Sequence, residues 1–305
     1  MVNDWFIWAV ELVFSIVNFY GLFILLGVLA SLLMAEKFKK LLITNNQLPV
    51  TKLLPWVLIP GIIGARLYHV IDYWGYYRFN SAKIVKIWQG GMGIFGGIIS
   101  GALGLWLWIS KFQPKVENKG NSKLACDKNS VNYLELLDLS AFVLPLGQAI
   151  GRWGNFFNQE LYGLPTDLPW AIYIRPENRL SGLENYSYFH PLFLYESLGC
   201  LVIFVILLLV VLRISNFQPK ADGFFKNERS SKFICDKNKS PGTVFFLYLL
   251  LYSFLRFELE FLRPRSWTIG VFRVNQLVSL FLITISAVFL FRPLKGSCFL
   301  KKENI

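Results

Sequence analysis

The run GRWGNFFNQELYG, Gly151 to Gly163, places Arg152, Asn155 and Glu160 directly after the apolar segment Ala141 to Ile150. A second run, YSFLRFELE, spaces Tyr252, Arg256 and Glu260 four residues apart, which puts all three along one face of a helix. Arg66 closes GIIGAR, inside a third apolar stretch. Charges in such surroundings are costly, so each is a functional candidate. Guanidinium stays charged and grips phosphate with two parallel donors. Three arginines with fewer definite acidic partners therefore point to a site for an anionic headgroup. The competing account is plain pairing between helices, a contact that commonly contributes ~1 kcal/mol in a membrane. It covers any single residue but explains the set less well.

These residues need elements that hold them at one depth. The 305-residue chain is 54% hydrophobic and 16% charged, with a mean hydropathy of +0.46. That balance is more apolar than a soluble domain and predicts a polytopic membrane protein, all-α, because strands would leave open edges in lipid. About seven stretches of roughly 20 apolar residues recur, each long enough to cross a ~30 Å hydrocarbon core as helix. They centre on Phe19–Ala35, Leu53–Tyr68, Gly90–Ile109, Leu134–Gly151, the segment opened by Pro191, Thr243–Leu262 and Val271–Phe291.

Lysine and arginine concentrate in alternate connections. One set holds Lys37, Lys39, Lys40 and Lys52, the basic stretches 111–134 and 213–242, and the tail with Arg292, Lys295, Lys301 and Lys302. The opposite set is sparse, with Arg78, Lys83, Lys86, Arg175, Arg179, Arg263, Arg265 and Arg273. The basic side is the cytoplasm, so the N-terminus is expected outside and the C-terminus inside. Arg66, Arg152, Arg256 and Glu260 then fall near the outer leaflet, with Tyr20 toward the outer half of the first span and His190 at the outer entrance of the fifth. MVNDWFIW has no basic residue and does not read as a secretory signal. Residues 1–305 are expected to form a single integral membrane domain, with 161–189 as an external arm. That arm is either a lid or peptide-docking element or a packed interfacial cap.

A formal charge of +12 raises nucleic acid as a partner, but the excess sits in cytoplasmic connections beside spans, where anionic lipid headgroups attract it. No nucleic-acid partner is expected. Cys126, Cys235 and Cys298 fall on the reducing side and Cys200 inside a span, which argues against a disulfide framework. With only His69 and His190 in the chain, and no acidic cluster at ligand spacing, neither a metal nor another cofactor is implied. FQPK followed by a CDKN segment occurs in both long basic connections, as a polar spacer or as a docking element for a cytosolic partner.

With its flanks, PLGQAIGRWGNFFNQELYG resembles the signature of the prolipoprotein diacylglyceryl transferase family, G-R-x-G-N-F-x-N-x-E-x-x-G. Gly151, Arg152, Gly154, Asn155, Phe156, Asn158, Glu160 and Gly163 meet every specified position. NFYG around Tyr20, GARLYHV around Arg66, GGMGIFGG, HPLFLYE at His190 and YSFLRFELEFLR follow in the family's order across nearly the whole chain. The resemblance implies a bacterial inner-membrane enzyme that moves the diacylglyceryl group of phosphatidylglycerol onto the lipobox cysteine thiol of a prolipoprotein, releasing glycerol phosphate. It implies Arg152 and Arg256 at the phosphate and leaving group, and Asn155 on glycerol oxygens. Glu160 and Glu260 would hold the arginines, with Tyr20 and Tyr252 at the reacting end. Arg66, Gly163 and His190 join the expected phosphatidylglycerol site. Phe95 stands where many members carry histidine, and phenylalanine takes no proton. The thiol is then activated by His69 or by the positive field alone. Two other readings remain: a relative with a changed acceptor or lost activity, and an anion or lipid carrier. A carrier pathway needs polar residues through the full depth, and here they gather in the outer half.

Overall fold

A computed structural model describes residues 19–43, 50–85, 94–112, 133–216, 241–264, 268–269 and 272–291. Most of the two basic connections, with their repeated FQPK and CDKN segments, lies outside the described residues, as do the start of GGMGIFGG and both termini. The described chain is mostly helical. Long helices are α1 (Phe19–Leu42), α2 (Val50–Asp72), α4 (Ile94–Phe112), α5 (Tyr133–Phe157), α6 (Leu192–Asn216), α7 (Thr243–Glu260) and α8 (Val274–Leu290), and a single turn, α3, covers Trp74–Tyr77. Each long helix coincides with an apolar stretch expected from the sequence. Four of them, α1, α2, α5 and α6, are long and apolar enough by themselves to cross a bilayer. This is an all-α membrane protein in its main lines.

The chain divides into two compact units, residues 36–136 and residues 1–35 with 137–305. In the first, α2 and α4 pack backbone to backbone. A Cβ at Gly64 would lie 1.8 Å from Ser100 Oγ and 2.7 Å from the Gly96 carbonyl oxygen, so glycine is required there. Between apolar helices in lipid there is little hydrophobic drive, and close van der Waals approach of small residues supplies the attraction instead. Pro55 and Pro60 sit inside α2 without ending it.

The second unit is organised around α5, α6 and α7. Phe142, Cys200, Leu207, Val211 and Val244 are buried, and the Phe142 and Phe204 rings meet at 5.5 Å. The buried Asp138 of α5 caps another helix: its two carboxylate oxygens accept from Gly242 N at 2.7 Å and Phe245 N at 2.8 Å, at the start of α7. Those N–H groups have no partner within their own helix, and a negative charge at a helix N-terminus is favoured by the backbone dipole.

Between α5 and α6, residues 161–189 form a small substructure of their own. Strand β1 (Ile172–Tyr173) pairs antiparallel with β2 (Tyr188–Phe189), in the register Ile172↔Phe189 and Tyr173↔Tyr188. Opposed residues share a face, so Ile172 and Phe189 point one way and both tyrosines the other. The first face closes over Tyr162, Ile174, Leu180 and Leu183, while Tyr173 and Tyr188 stay exposed. Arg179 ties the interior together, donating to the carbonyls of Ile174 and Glu184 and to Ser187 Oγ. A second pair, β3 (Thr268–Ile269) with β4 (Phe272–Arg273), leads directly into α8.

Candidate active site

In the second unit the C-terminal turns of α5 and α7 meet the N-terminal turns of α6 and α8, as expected when apolar helices follow one another in alternating directions. Arg152 lies near the end of α5 and Arg256 near the end of α7, while Glu196 lies in the opening turns of α6. Cations at helix C-termini and an anion at an N-terminus match the sign of each backbone dipole.

Glu196 joins the arginines. Its Oε1 accepts from Arg152 Nη2 at 2.6 Å and from the Tyr252 hydroxyl at 3.0 Å, and its Oε2 lies 3.4 Å from Arg256 Nη1. The carboxylate is 1% exposed, whereas the Arg152 and Arg256 side chains keep 24% and 20% of their surface open. The anion therefore forms the floor. The two guanidiniums present their remaining edges above it.

A second carboxylate, Glu260, lies fully buried on the same face of α7. Its Oε1 accepts from Asn275 Nδ2 at 3.0 Å, and Arg273 donates to its backbone carbonyl. Its Oε2 makes no direct hydrogen bond and faces Arg256 at 3.9 Å and Arg263 at 3.8 Å. Burial and the nearby Arg256 cation lower the Arg263 pKa from its ordinary value, against the pull of Glu260. With Glu160 beside Asn155 counted, Arg152, Arg256, Arg263 and Arg273 outnumber Glu160, Glu196 and Glu260 by one, so the cluster is short of negative charge.

The signature run wraps the other side. Asn155 Nδ2 donates to Glu160 Oε1 at 2.8 Å, its Oδ1 accepts from Arg152 Nη1 at 3.4 Å, and Asn158 reaches the same Glu160 oxygen at 3.5 Å. Glu160 N also donates to the Asn155 carbonyl at 3.0 Å, which curls the chain back as α5 ends. Glycine at 154 leaves room for Tyr20, since a Cβ there would lie 3.0 Å from Tyr20 Cδ2 and 3.2 Å from its Cα. Gly163 is a backbone junction: its N–H donates to the His190 carbonyl, and a Cβ would meet His190 Cβ at 2.8 Å and the Leu262 carbonyl at 3.0 Å. With Leu164 N bonded to that same Leu262 carbonyl, the stem of the 161–189 substructure is fixed between the start of α6 and the end of α7.

Of the expected site residues, Tyr20, Arg152, Asn155, Glu160, Tyr252, Arg256 and Glu260 are thus linked by direct contacts or by shared turns. His190 enters through the stem, where its Nδ1 lies 3.2 Å from the Tyr195 hydroxyl, which also accepts from Trp170 Nε1 at 2.7 Å. Arg66 and His69 belong to the other unit. Arg66 is buried, donates to the carbonyls of Lys83 at 2.6 Å and Ile84 at 2.8 Å, and stands over the Tyr77 ring. His69 packs against Tyr73 and Tyr77. Phe95 falls in the first turn of α4, and its side chain lies outside the described residues.

Sequence reasoning passed over Glu196, Arg263 and Asn275. Glu196 ends HPLFLYE and opens a long apolar run, so the rule that singled out Arg152 applies to it equally.

Similarity to other proteins agrees with the resemblance in the signature. The family model described as prolipoprotein diacylglyceryl transferase matches residues 8–292. The chain belongs to this family. A relative from Fervidobacterium nodosum, named phosphatidylglycerol--prolipoprotein diacylglyceryl transferase, is 41% identical over 76% of this chain and 66% of its own length. Relatives of the same name from Gloeobacter violaceus, 38% identical over 89% of this chain and 87% of their own, and from Finegoldia magna, 37% identical over 88% and 87%, cover it more completely. Family members are transferases of lipoprotein biosynthesis.

Proposed function

We propose that the protein transfers the diacylglyceryl group of phosphatidylglycerol to the lipobox cysteine thiol of a prolipoprotein, with Arg152 and Arg256 receiving the phosphate. The reaction rests on family membership. Its location rests on one observation, two partly open guanidiniums fixed on a single buried carboxylate.

In the transfer, the cysteine thiolate attacks the glyceryl carbon that carries the phosphoester oxygen. A C–S bond forms, the C–O bond breaks, and its electron pair leaves on glycerol phosphate while the thiol proton goes to a base or to water. The phosphate thereby passes from one negative charge toward two. Preorganised cations aimed at the place where charge develops stabilise such a transition state, and a dry site strengthens them. Arg152 and Arg256 fill that role, Asn155 orients the glycerol oxygens, and the Glu160 carboxylate holds Asn155. Tyr20 stands beside this turn. The Tyr252 hydroxyl donates a hydrogen bond to Glu196, which leaves its oxygen lone pairs as acceptors. The excess of cations also raises the thiolate fraction of a cysteine brought close, since positive charge lowers a thiol pKa from ~8.5.

The alternating basic connections support seven spans with the N-terminus outside. On that topology the ends of α5 and α7 and the start of α6 lie toward the outer leaflet of the cytoplasmic membrane, where lipobox peptides arrive after export. The 161–189 substructure then stands over the site as its external arm.

The test is transfer of labelled diacylglyceryl from phosphatidylglycerol to a lipobox peptide by the purified full-length protein in detergent. Wild type is expected to form the thioether and Arg152→Ala to lose it while remaining folded. Full transfer by folded Arg152→Ala and by folded Arg256→Ala would remove both arginines from the site. Absence of transfer by folded wild type would overturn the reaction itself.

A further inference from the structure

We infer that Glu196 is a positioning residue for the transfer, acting through Arg152 and Arg256 without touching the lipid. The inference rests on the reading of the cluster as the phosphatidylglycerol site. Three observations carry it. The carboxylate bridges arginines from two separate helices, one on each oxygen, and Tyr252 donates to the oxygen that holds Arg152. It is 1% exposed, so an incoming phosphate meets the guanidiniums first. It also belongs to a third helix, α6, which makes it the one described side chain bonded at once to the Arg152 end of α5 and the Arg256 end of α7.

Two guanidiniums repel each other, and in a site of low dielectric the repulsion is strong. A carboxylate between them cancels part of it and fixes which edges remain free. Those edges must match the spacing of two phosphate oxygens, because positioning errors near 1 Å cost about a hundredfold in rate. The same charge also limits how tightly the ground state is held. The lipid binds as a monoanion and its phosphate leaves as a dianion. The negative charge of Glu196 opposes the phosphate in the ground state and the transition state alike, so what Glu196 contributes to kcat comes through the positions in which it holds the two guanidiniums.

The consequence is a divergence of kinetic constants. Glu196→Gln keeps the shape and removes the charge, so the site becomes more cationic and less ordered. The KM for phosphatidylglycerol is expected to stay level or fall, while kcat drops about a hundredfold. Glu196→Asp retains the charge on a shorter stem, and it is expected to restore part of kcat without raising KM.

The measurement is steady-state transfer from phosphatidylglycerol in mixed micelles to a lipobox peptide, by full-length wild type, Glu196→Gln and Glu196→Asp. Size-exclusion profile and resistance to limited proteolysis serve as the check of fold. Equilibrium binding of phosphatidylglycerol in the same micelles is measured alongside. A Glu196→Gln protein with the kcat of wild type overturns the inference, as does one with raised KM and unchanged kcat, which would make the carboxylate a direct lipid contact. Loss of fold in both variants would make Glu196 a purely structural ion pair and overturn it too. If wild type transfers nothing, the reaction reading has failed. Binding then judges Glu196 separately: weaker phosphatidylglycerol binding by Glu196→Gln contradicts the inference, and equal or tighter binding agrees with it.

Discussion

Arg66 and Arg152 read alike in the sequence, each an arginine near the end of an apolar run behind a glycine or alanine, yet they are used differently. Arg66 reaches backbone: its guanidinium donates to the carbonyls of Lys83 and Ile84, in the short turn that follows α3. Arg152 is bound to a side-chain carboxylate and an amide oxygen, with part of its surface open. A guanidinium on carbonyls satisfies groups that would otherwise be orphaned, and removing it harms the fold. One on a shared carboxylate still attracts an anion. The described partners, more than the burial, distinguish the two cations.

The contrast breaks most visibly at the arginines themselves. Arg152→Ala and Arg256→Ala should each lower transfer by at least about a hundredfold, the usual scale for losing a donor to a developing charge, with the fold retained by size-exclusion chromatography. Arg152→Lys sharpens the point. It keeps the charge but loses the planar fork, and should cost about tenfold in kcat/KM, on the scale of one charge-assisted hydrogen bond. Arg66→Ala should show the reverse pattern: a loss of about 1–3 kcal/mol in stability from two orphaned carbonyls, read as a lower Tm, with kcat within a few-fold of wild type. A folded Arg66→Ala protein without activity would place Arg66 with the other two. The smallest effect belongs to Tyr195→Phe, which removes the hydroxyl shared by Trp170 and His190. It should cost about 1 kcal/mol, seen as faster proteolysis within 161–189 and little change in rate.

The helices were legible because runs such as Phe19–Ala35 and Leu192–Asn216 need only length and apolarity to be recognised. Much of the cluster was legible for the opposite reason, since Arg152 and Arg256 stand out against apolar neighbours. Which residue joins them was not legible. Glu196 is as conspicuous as either arginine, but nothing along one chain shows that a carboxylate on α6 reaches across to both α5 and α7. The strands β1 and β2 escaped because two residues each carry no period. Their core of Tyr162, Ile174 and Phe189 comes from segments whose spacing follows no helix or strand repeat. Asp138 was hidden inside LELLDLSAF, where a charge near the end of a span suggests the membrane boundary and gives no hint of a cap on another helix.

That cap has a mechanical meaning. Asp138 rivets the first turn of α7 to α5, and from this rivet two rods run to the arginines, about 21 Å along α5 to Arg152 and about 16 Å along α7 to Arg256 at 1.5 Å per residue. A tilt of roughly 3° about the rivet moves either tip by about 1 Å at those lengths. The spacing of the two guanidiniums is therefore set from the far end of the tool, by a carboxylate about 21 Å along α5 from Arg152.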